Sequence, residues 1–105
     1  GFQQVIHNLL RNAADALAGQ GDARITIRAE AAGKQAVITT ADNGPGISAA
    51  ALPHIFEPFF TAKPDGMGLG LPLSARLVET MDGSIEAENA GGARFTIRLP
   101  LEDTK

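Results

Sequence analysis

Two carboxamides, Asn8 and Asn12, and the carboxylate of Asp15 recur at intervals of four and three residues, so on a helix all three project from one side. Phe2, Val5, Ile6, Leu9, Leu10, Ala13 and Leu17 run beside them at helical spacing. A polar line bordering a buried stripe makes a cleft wall. A carboxamide oxygen is a hard, neutral donor suited to Mg²⁺, which keeps several waters and takes only one or two protein ligands beside substrate phosphates. Asn12 is the candidate magnesium ligand, with Asn8 supporting it; the plainer alternative is that both side chains face water or cap a neighbouring loop.

Asp42 stands where a β-rich run gives way to Asn43-Gly44-Pro45-Gly46. A carboxylate there can sit at a pocket floor while the glycines let backbone pass close to a flat ligand. It accepts hydrogen bonds without donating, which suits the exocyclic amino group of adenine, and such a site rejects a base carrying a carbonyl at that place. Asp-Asn-Gly is equally a common turn sequence. Phe56, Phe59 and Phe60 crowd into one loop, either docking it on the body or forming a lid whose docking depends on ligand. Lys63 follows within reach of phosphate oxygens, although an exposed lysine is often only solvated. Gly66-Met67-Gly68-Leu69-Gly70 precedes a helix, whose unpaired N–H groups and dipole favour anions; the same string also suits a flexible linker. It lacks the Lys-Ser/Thr of a P-loop and the spacing of the dinucleotide fingerprint. His7 and His54 have no metal-ligand spacing and read as structural or surface residues.

The elements that must hold these groups follow from periodicity. The first helix spans Phe2 to Leu17, with Gly19 as its stop. Residues 24–28 and 35–40 form β-rich runs around a turn at Gly33, an antiparallel hairpin. From Gly44 to Gly68 no periodicity persists, four prolines intervene, and at most one short helix begins at Ser48. A loop of that length is functional or disordered. Leu69 to Met81 regains helical spacing with Pro72 in its first turn and Asp82-Gly83 at its end. Residues 84–88 and 93–99 form a second hairpin. Hairpins stand where parallel crossovers would be needed, so the order predicts a helical layer on a mostly antiparallel sheet.

A chain of 105 residues fits one domain. There is no cysteine, which excludes a disulfide framework and thiolate zinc sites and is compatible with a reducing compartment. The formal charge of -3 and the scattered Lys and Arg argue against a nucleic-acid surface. No apolar stretch approaches the ~20 residues of a membrane helix and no signal pattern opens the chain, so the sequence predicts a soluble segment.

Taken in order, the four patches resemble the boxes of the catalytic and ATP-binding domain of sensor histidine kinases, in the GHKL superfamily. Asn8 to Asn12 resemble the N box, Asp42 to Gly46 the first glycine box, Phe56 to Phe60 the F box and Gly66 to Gly70 the second glycine box. The ending Gly91-Gly92-Ala93-Arg94-Phe95-Thr96-Ile97-Arg98-Leu99-Pro100 resembles the family's closing hairpin. Arg11-Asn12-Ala13-Ala14-Asp15-Ala16 and Phe59-Phe60-Thr61-Ala62-Lys63-Pro64 look closest to kinases of the oxygen- and nitrogen-regulation type.

The resemblance implies the Bergerat-type fold, an α+β two-layer sandwich whose mixed, mostly antiparallel sheet is covered on one face by helices. It implies ATP or ADP with Mg²⁺ as ligands, Asn12 on the metal, Asp42 on adenine N6 and an ATP lid over about 44–68. Further nucleotide contacts are implied for Asn8 and Asp15 on the first helix and for Gly44, Gly46 and Ile47 after Asp42. In the lid they are implied for Phe59, Phe60, Thr61 and Lys63, and at the second helix for Gly66, Met67, Gly68, Leu69, Gly70 and Leu71. Asn8, Asn12 and Lys63 would act in catalysis. Relatives that hydrolyse ATP carry a Glu at the position of Asn8, and a carboxamide cannot act as a general base. The nucleophile would then be a histidine on a separate helical dimerisation domain, with a response regulator downstream. The domain would be cytoplasmic, monomeric in isolation, and without direct membrane or nucleic-acid contact.

The family's short strand before the first helix and its phosphoacceptor domain are not in this sequence, so the chain is expected to be N-terminally truncated and to bind nucleotide without phosphorylating itself. Ala41, Ala62, Pro72 and the Asp82-Gly83 pair depart from frequent family residues, and Pro72 bears on how the second helix starts. Rival classes are a nucleotide-binding module without kinase activity, a serine kinase of the anti-sigma-factor type, and a module that binds no nucleotide.

Overall fold

In a computed structural model, residues 2–57 and 70–101 are described. Helix α1 (Phe2–Ala16) buries Val5, Leu9 and Ala13 at steps of four, the stripe its apolar spacing predicts. Gly19 ends the turn that follows it, at φ +86°, where a side chain would be strained.

Strands β1 (Ile25–Ala32) and β2 (Gln35–Asp42) pair antiparallel, with Ala32 opposite Gln35. Gly33 opens their two-residue turn at φ +65°, the place where a type II′ turn puts glycine. Strands β3 (Ser84–Asn89) and β4 (Ala93–Pro100) form the second hairpin. The sheet order is β1-β2-β4-β3 and all three pairings are antiparallel, so the mostly antiparallel sheet expected from the hairpins is found.

Helix α2 (Gly70–Thr80) carries Pro72 in its first turn, where the missing N–H would have had no helical partner. Its end is a Schellman motif: the Gly83 N–H bonds the Val78 carbonyl and the Asp82 N–H that of Glu79, both at 3.0 Å. Asp82, at φ +62°, takes the left-handed position. Gly83 serves a different purpose, because a Cβ there would come within 2.5 Å of the Arg98 carbonyl oxygen and the Leu99 side chain.

Period-two alternation decides which sheet face meets the helices. Ile38, Phe95 and Ile97 point inward and join Val5, Leu9 and Val78 in one core, with Val5, Val78 and Ile97 at 0% exposure. Arg94 and Arg98 point outward and pair with Glu88 and Glu86 across the hairpin. Edge strand β1 is exposed along its whole length, Ile27 included. Between β2 and α2, Ser48 accepts the N–H groups of Ala51 and Leu52 at the head of a short 3-10 turn (Leu52–His54).

Candidate functional site

Asp42 is the last residue of β2, and the strand's alternation turns its side chain to the helix side. It is buried, at 8% exposure. Its Oδ1 accepts the Gly44 N–H at 2.9 Å and the Ala93 N–H at 3.3 Å. The carboxylate is therefore held from its own turn and from the start of β4. Among the described residues no hydrogen bond reaches Oδ2. No fully buried side-chain oxygen among the described residues lacks a partner, so Oδ2 keeps an opening to solvent. One fixed oxygen and one open oxygen make a directed acceptor, pre-oriented for an N–H donor.

The backbone around it is close. Gly92 lies at φ +144° against Asp42, and a Cβ on it would come within 2.8 Å of the Asp42 carbonyl carbon and 3.0 Å of Oδ1. A Cβ on Gly44 would meet the Leu17 side chain at 3.0 Å, so the first glycine box lies against the end of α1. Asn43 is tied to the segment after α1: its Oδ1 accepts the Arg24 N–H at 2.8 Å and its Nδ2 donates to the Asp22 carbonyl at 2.9 Å. Gln20 adds a bond from Nε2 to the Asn43 carbonyl at 3.0 Å.

Gly46 takes φ +82° and delivers the chain to Ile47, which the end of β3 grips by both backbone groups. Asn89 Oδ1 accepts the Ile47 N–H at 2.8 Å, and Asn89 Nδ2 donates to the Ile47 carbonyl at 2.7 Å.

On α1, Asn8 and Asn12 are half-buried and Asp15 is exposed. Asn8 Nδ2 donates to Ser74 Oγ at 3.2 Å, joining α1 to α2 through a hydroxyl at 0% exposure. Among the described residues no group of three or more His, Cys, Asp or Glu is gathered for a metal. A site made of one carboxamide plus ligand phosphates, as expected at Asn12, needs no such group.

Gly70 opens α2, and Leu71 packs half-buried against the core. The other expected contacts, Phe59, Phe60, Thr61, Lys63, Gly66, Met67, Gly68 and Leu69, lie outside the described residues. The chain before them is anchored: Ala51 and Ile55 are buried, and the Phe56 ring meets Phe95 edge-on at 6.2 Å and 82°.

Sequence reasoning did not single out Asn89 or Ser74. Asn89 sits in an ordinary turn sequence and acts on a residue far away in the chain, and Ser74 is a small polar residue within an apolar helical run. The Gly91-Gly92 pair was visible as part of the closing hairpin, but its contact with Asp42 was not.

Comparison with known proteins identifies the family and the fold. The family described as "Histidine kinase-, DNA gyrase B-, and HSP90-like ATPase" matches residues 1–103. The C4-dicarboxylate transport sensor protein DctB of Rhizobium meliloti (strain 1021) is 43% identical over 99 residues, covering 93% of this chain and 16% of that protein. The chain thus spans about a sixth of that relative's length. Among solved structures, the nucleotide-free catalytic domain of histidine kinase ThkA superposes with a TM-score of 0.83 at 33% identity, covering 94% of this chain and 65% of that one. Full-length ShkA in complex with AMPPNP gives 0.76 at 29% identity, covering 94% of this chain and 21% of that one.

Proposed function

This chain belongs to the family of histidine kinase-, DNA gyrase B- and HSP90-like ATPases, and we propose that it is the ATP-binding catalytic domain of a two-component sensor histidine kinase. The observation that carries this reading is the Asp42 carboxylate, pinned through Oδ1 by the N–H groups of Gly44 and Ala93 with Oδ2 open. Oδ2 accepts the N6 amino group of adenine. Guanine would present a carbonyl oxygen to the same carboxylate, two acceptors facing each other, so the site selects adenine.

Asn12 would hold Mg²⁺, with Asp15 and Asn8 along the same side of α1. Bound there, the metal would supply charge neutralisation for phosphoryl transfer. Asn8 is a carboxamide engaged with Ser74 and cannot take a proton from water, so ATP is held for transfer and not hydrolysed in place. The γ-phosphoryl passes to an imidazole nitrogen of a histidine on a helical dimerisation domain, forming a P–N bond as the bond to the bridging oxygen breaks and ADP leaves. Lys63 and the N–H groups of the second glycine box neutralise charge at the phosphates. A response regulator then receives the phosphoryl group. The ATP lid spans about residues 44–68, and the burial of Ala51 and Ile55 with the Phe56–Phe95 contact supports a reading in which its first part, up to Glu57, rests on the body. The domain is cytoplasmic and monomeric in isolation; no described helix is long and apolar enough to cross a membrane.

Calorimetry with Mg²⁺-ADP and Mg²⁺-GDP tests the site. Wild type should prefer ADP by at least ~100-fold, as sites that satisfy a substrate N–H do. Asp42→Ala should lose that preference, and Asn12→Ala should bind ADP equally with and without magnesium. A folded wild type that binds both nucleotides alike would overturn the reading. Mixing the chain and ATP with a kinase dimerisation domain should yield phosphohistidine on that domain and none on the chain itself. Phosphoserine instead would point to the anti-sigma-factor class, and no transfer to a nucleotide-binding module without kinase activity.

A further inference from the structure

The turn between β3 and β4 touches the adenine-site segment at both ends. At one end Gly92 and the Ala93 N–H meet Asp42; at the other, Asn89 satisfies both backbone groups of Ile47. The second grip has the form of a strand pairing. A carboxamide offers one acceptor and one donor in a plane, as a peptide does, and here it closes a ring with the N–H and the carbonyl of a single residue at 2.8 and 2.7 Å. Gly46 makes room for it, since a Cβ there would lie 2.7 Å from Asn89 Oδ1. With N–H and carbonyl both held, the Ile47 peptide planes cannot rotate, so the direction of the Ile47 side chain is set. That side chain is half-buried against the core.

Asn89 itself is exposed at the end of β3 and joins no core cluster. Its one described task is to hold Ile47, three residues beyond Gly44 by way of the Gly44-Pro45-Gly46 turn. That turn has two glycines and no regular backbone pairing, so between the Asp42 end and the core contact of the Ile47 side chain, the Asn89 clamp is what holds its backbone.

We infer that Asn89 is a positioning residue for nucleotide binding: its side-chain amide fixes the Gly44-to-Ile47 wall so that the wall and Asp42 present one pre-formed adenine slot. The inference rests on the adenine-site reading of Asp42. Pre-formation matters because a loop ordered only on binding charges its ordering cost against affinity. A turn between two sheet strands thereby sets the shape of a pocket whose contacts lie elsewhere in the chain.

The test measures Mg²⁺-ADP affinity by calorimetry for wild type, Asn89→Ala, Asn89→Asp and Asp42→Ala. Amide hydrogen exchange at Ile47 and the nucleotide-free melting temperature are followed alongside. Removing two hydrogen bonds that order the wall should weaken Asn89→Ala binding about tenfold. Ile47 exchange should accelerate by a similar factor while the nucleotide-free melting temperature stays within about 2 °C of wild type, as for a surface change. Asn89→Asp keeps the acceptor for the Ile47 N–H and loses the donor, so it should fall between the two in both affinity and exchange. Faster Ile47 exchange in Asn89→Ala with Mg²⁺-ADP affinity unchanged within twofold overturns the inference, as does an affinity loss matched by a large fall in nucleotide-free melting temperature. Equal Mg²⁺-ADP binding by wild type and Asp42→Ala, or none by folded wild type, overturns the adenine-site reading and this inference with it.

Discussion

Gly92 and Asp42 are packed backbone to backbone: any Cβ on Gly92 would overlap the Asp42 carbonyl group and come within 3.0 Å of Oδ1. Neighbouring Gly91 also has a positive φ, but open space surrounds its Cβ position. Gly92→Ala should cost about 3 kcal/mol or more, combining overpacking with backbone strain, and should abolish Mg²⁺-ADP binding by displacing the carboxylate. Gly91→Ala should cost only about 1–2 kcal/mol, the left-handed penalty alone, and bind nucleotide normally. Denaturant titration and calorimetry on the pair check both statements.

Asp82 occupies the left-handed position of the α2 Schellman motif, where glycine carries no Cβ penalty. Asp82→Gly should therefore stabilise the domain by about 0.5–1 kcal/mol, a melting-temperature rise of about 2–8 °C at this size. Gly83→Ala should do the opposite, because its Cβ would meet the Arg98 carbonyl oxygen and Leu99. Thermal unfolding of the two variants should move in opposite directions.

Leu9, at 1% exposure, lies in the core beneath the polar side of α1. Leu9→Ala should cost about 2–5 kcal/mol by leaving a cavity. Phe56 is only partly buried, and its edge-on contact with Phe95 adds about 0.5–1.5 kcal/mol beyond the area it covers. Phe56→Ala should cost less than Leu9→Ala yet speed amide hydrogen exchange over residues 51–57, since that segment loses its contact with Phe95. Equal exchange in wild type and Phe56→Ala would place the anchor elsewhere.

The outward pairs Arg94–Glu88 and Arg98–Glu86 sit on the solvent side of the sheet with every partner more than a third exposed. Exposed ion pairs contribute about 0–1 kcal/mol and are screened by salt. Glu86→Gln and Glu88→Gln should each shift the melting temperature by no more than a few degrees, and the shift should shrink in high salt. Adenine-nucleotide affinity should be unaffected.

Much of this molecule is written locally. The stripe Val5, Leu9, Ala13 has the helical period, the alternation of Phe95 and Ile97 with Arg94 and Arg98 has the strand period, and Gly33 and Asp82-Gly83 mark the ends of elements. Period and turn chemistry act between residues a few positions apart, so one sequence suffices to read them. The same holds for the family, because the ordered boxes lie along the chain. Even so, local reading does not assign roles within a pair: Asp82-Gly83 marks a helix end, but only packing decides that Asp adopts the left-handed backbone while Gly lies against β4.

What the sequence by itself determined is the set of elements, the family, and the residue types available for a nucleotide site. What only the tertiary structure decided is which distant groups hold those residues in place. Asn89 reaches Ile47, Ser74 reaches Asn8, and Ala93 with Gly92 meets Asp42, in each case across at least 42 residues of chain. Such contacts leave no periodic trace, because a side-chain amide or a backbone N–H needs only one partner, and that partner is chosen by how the two hairpins and two helices stack.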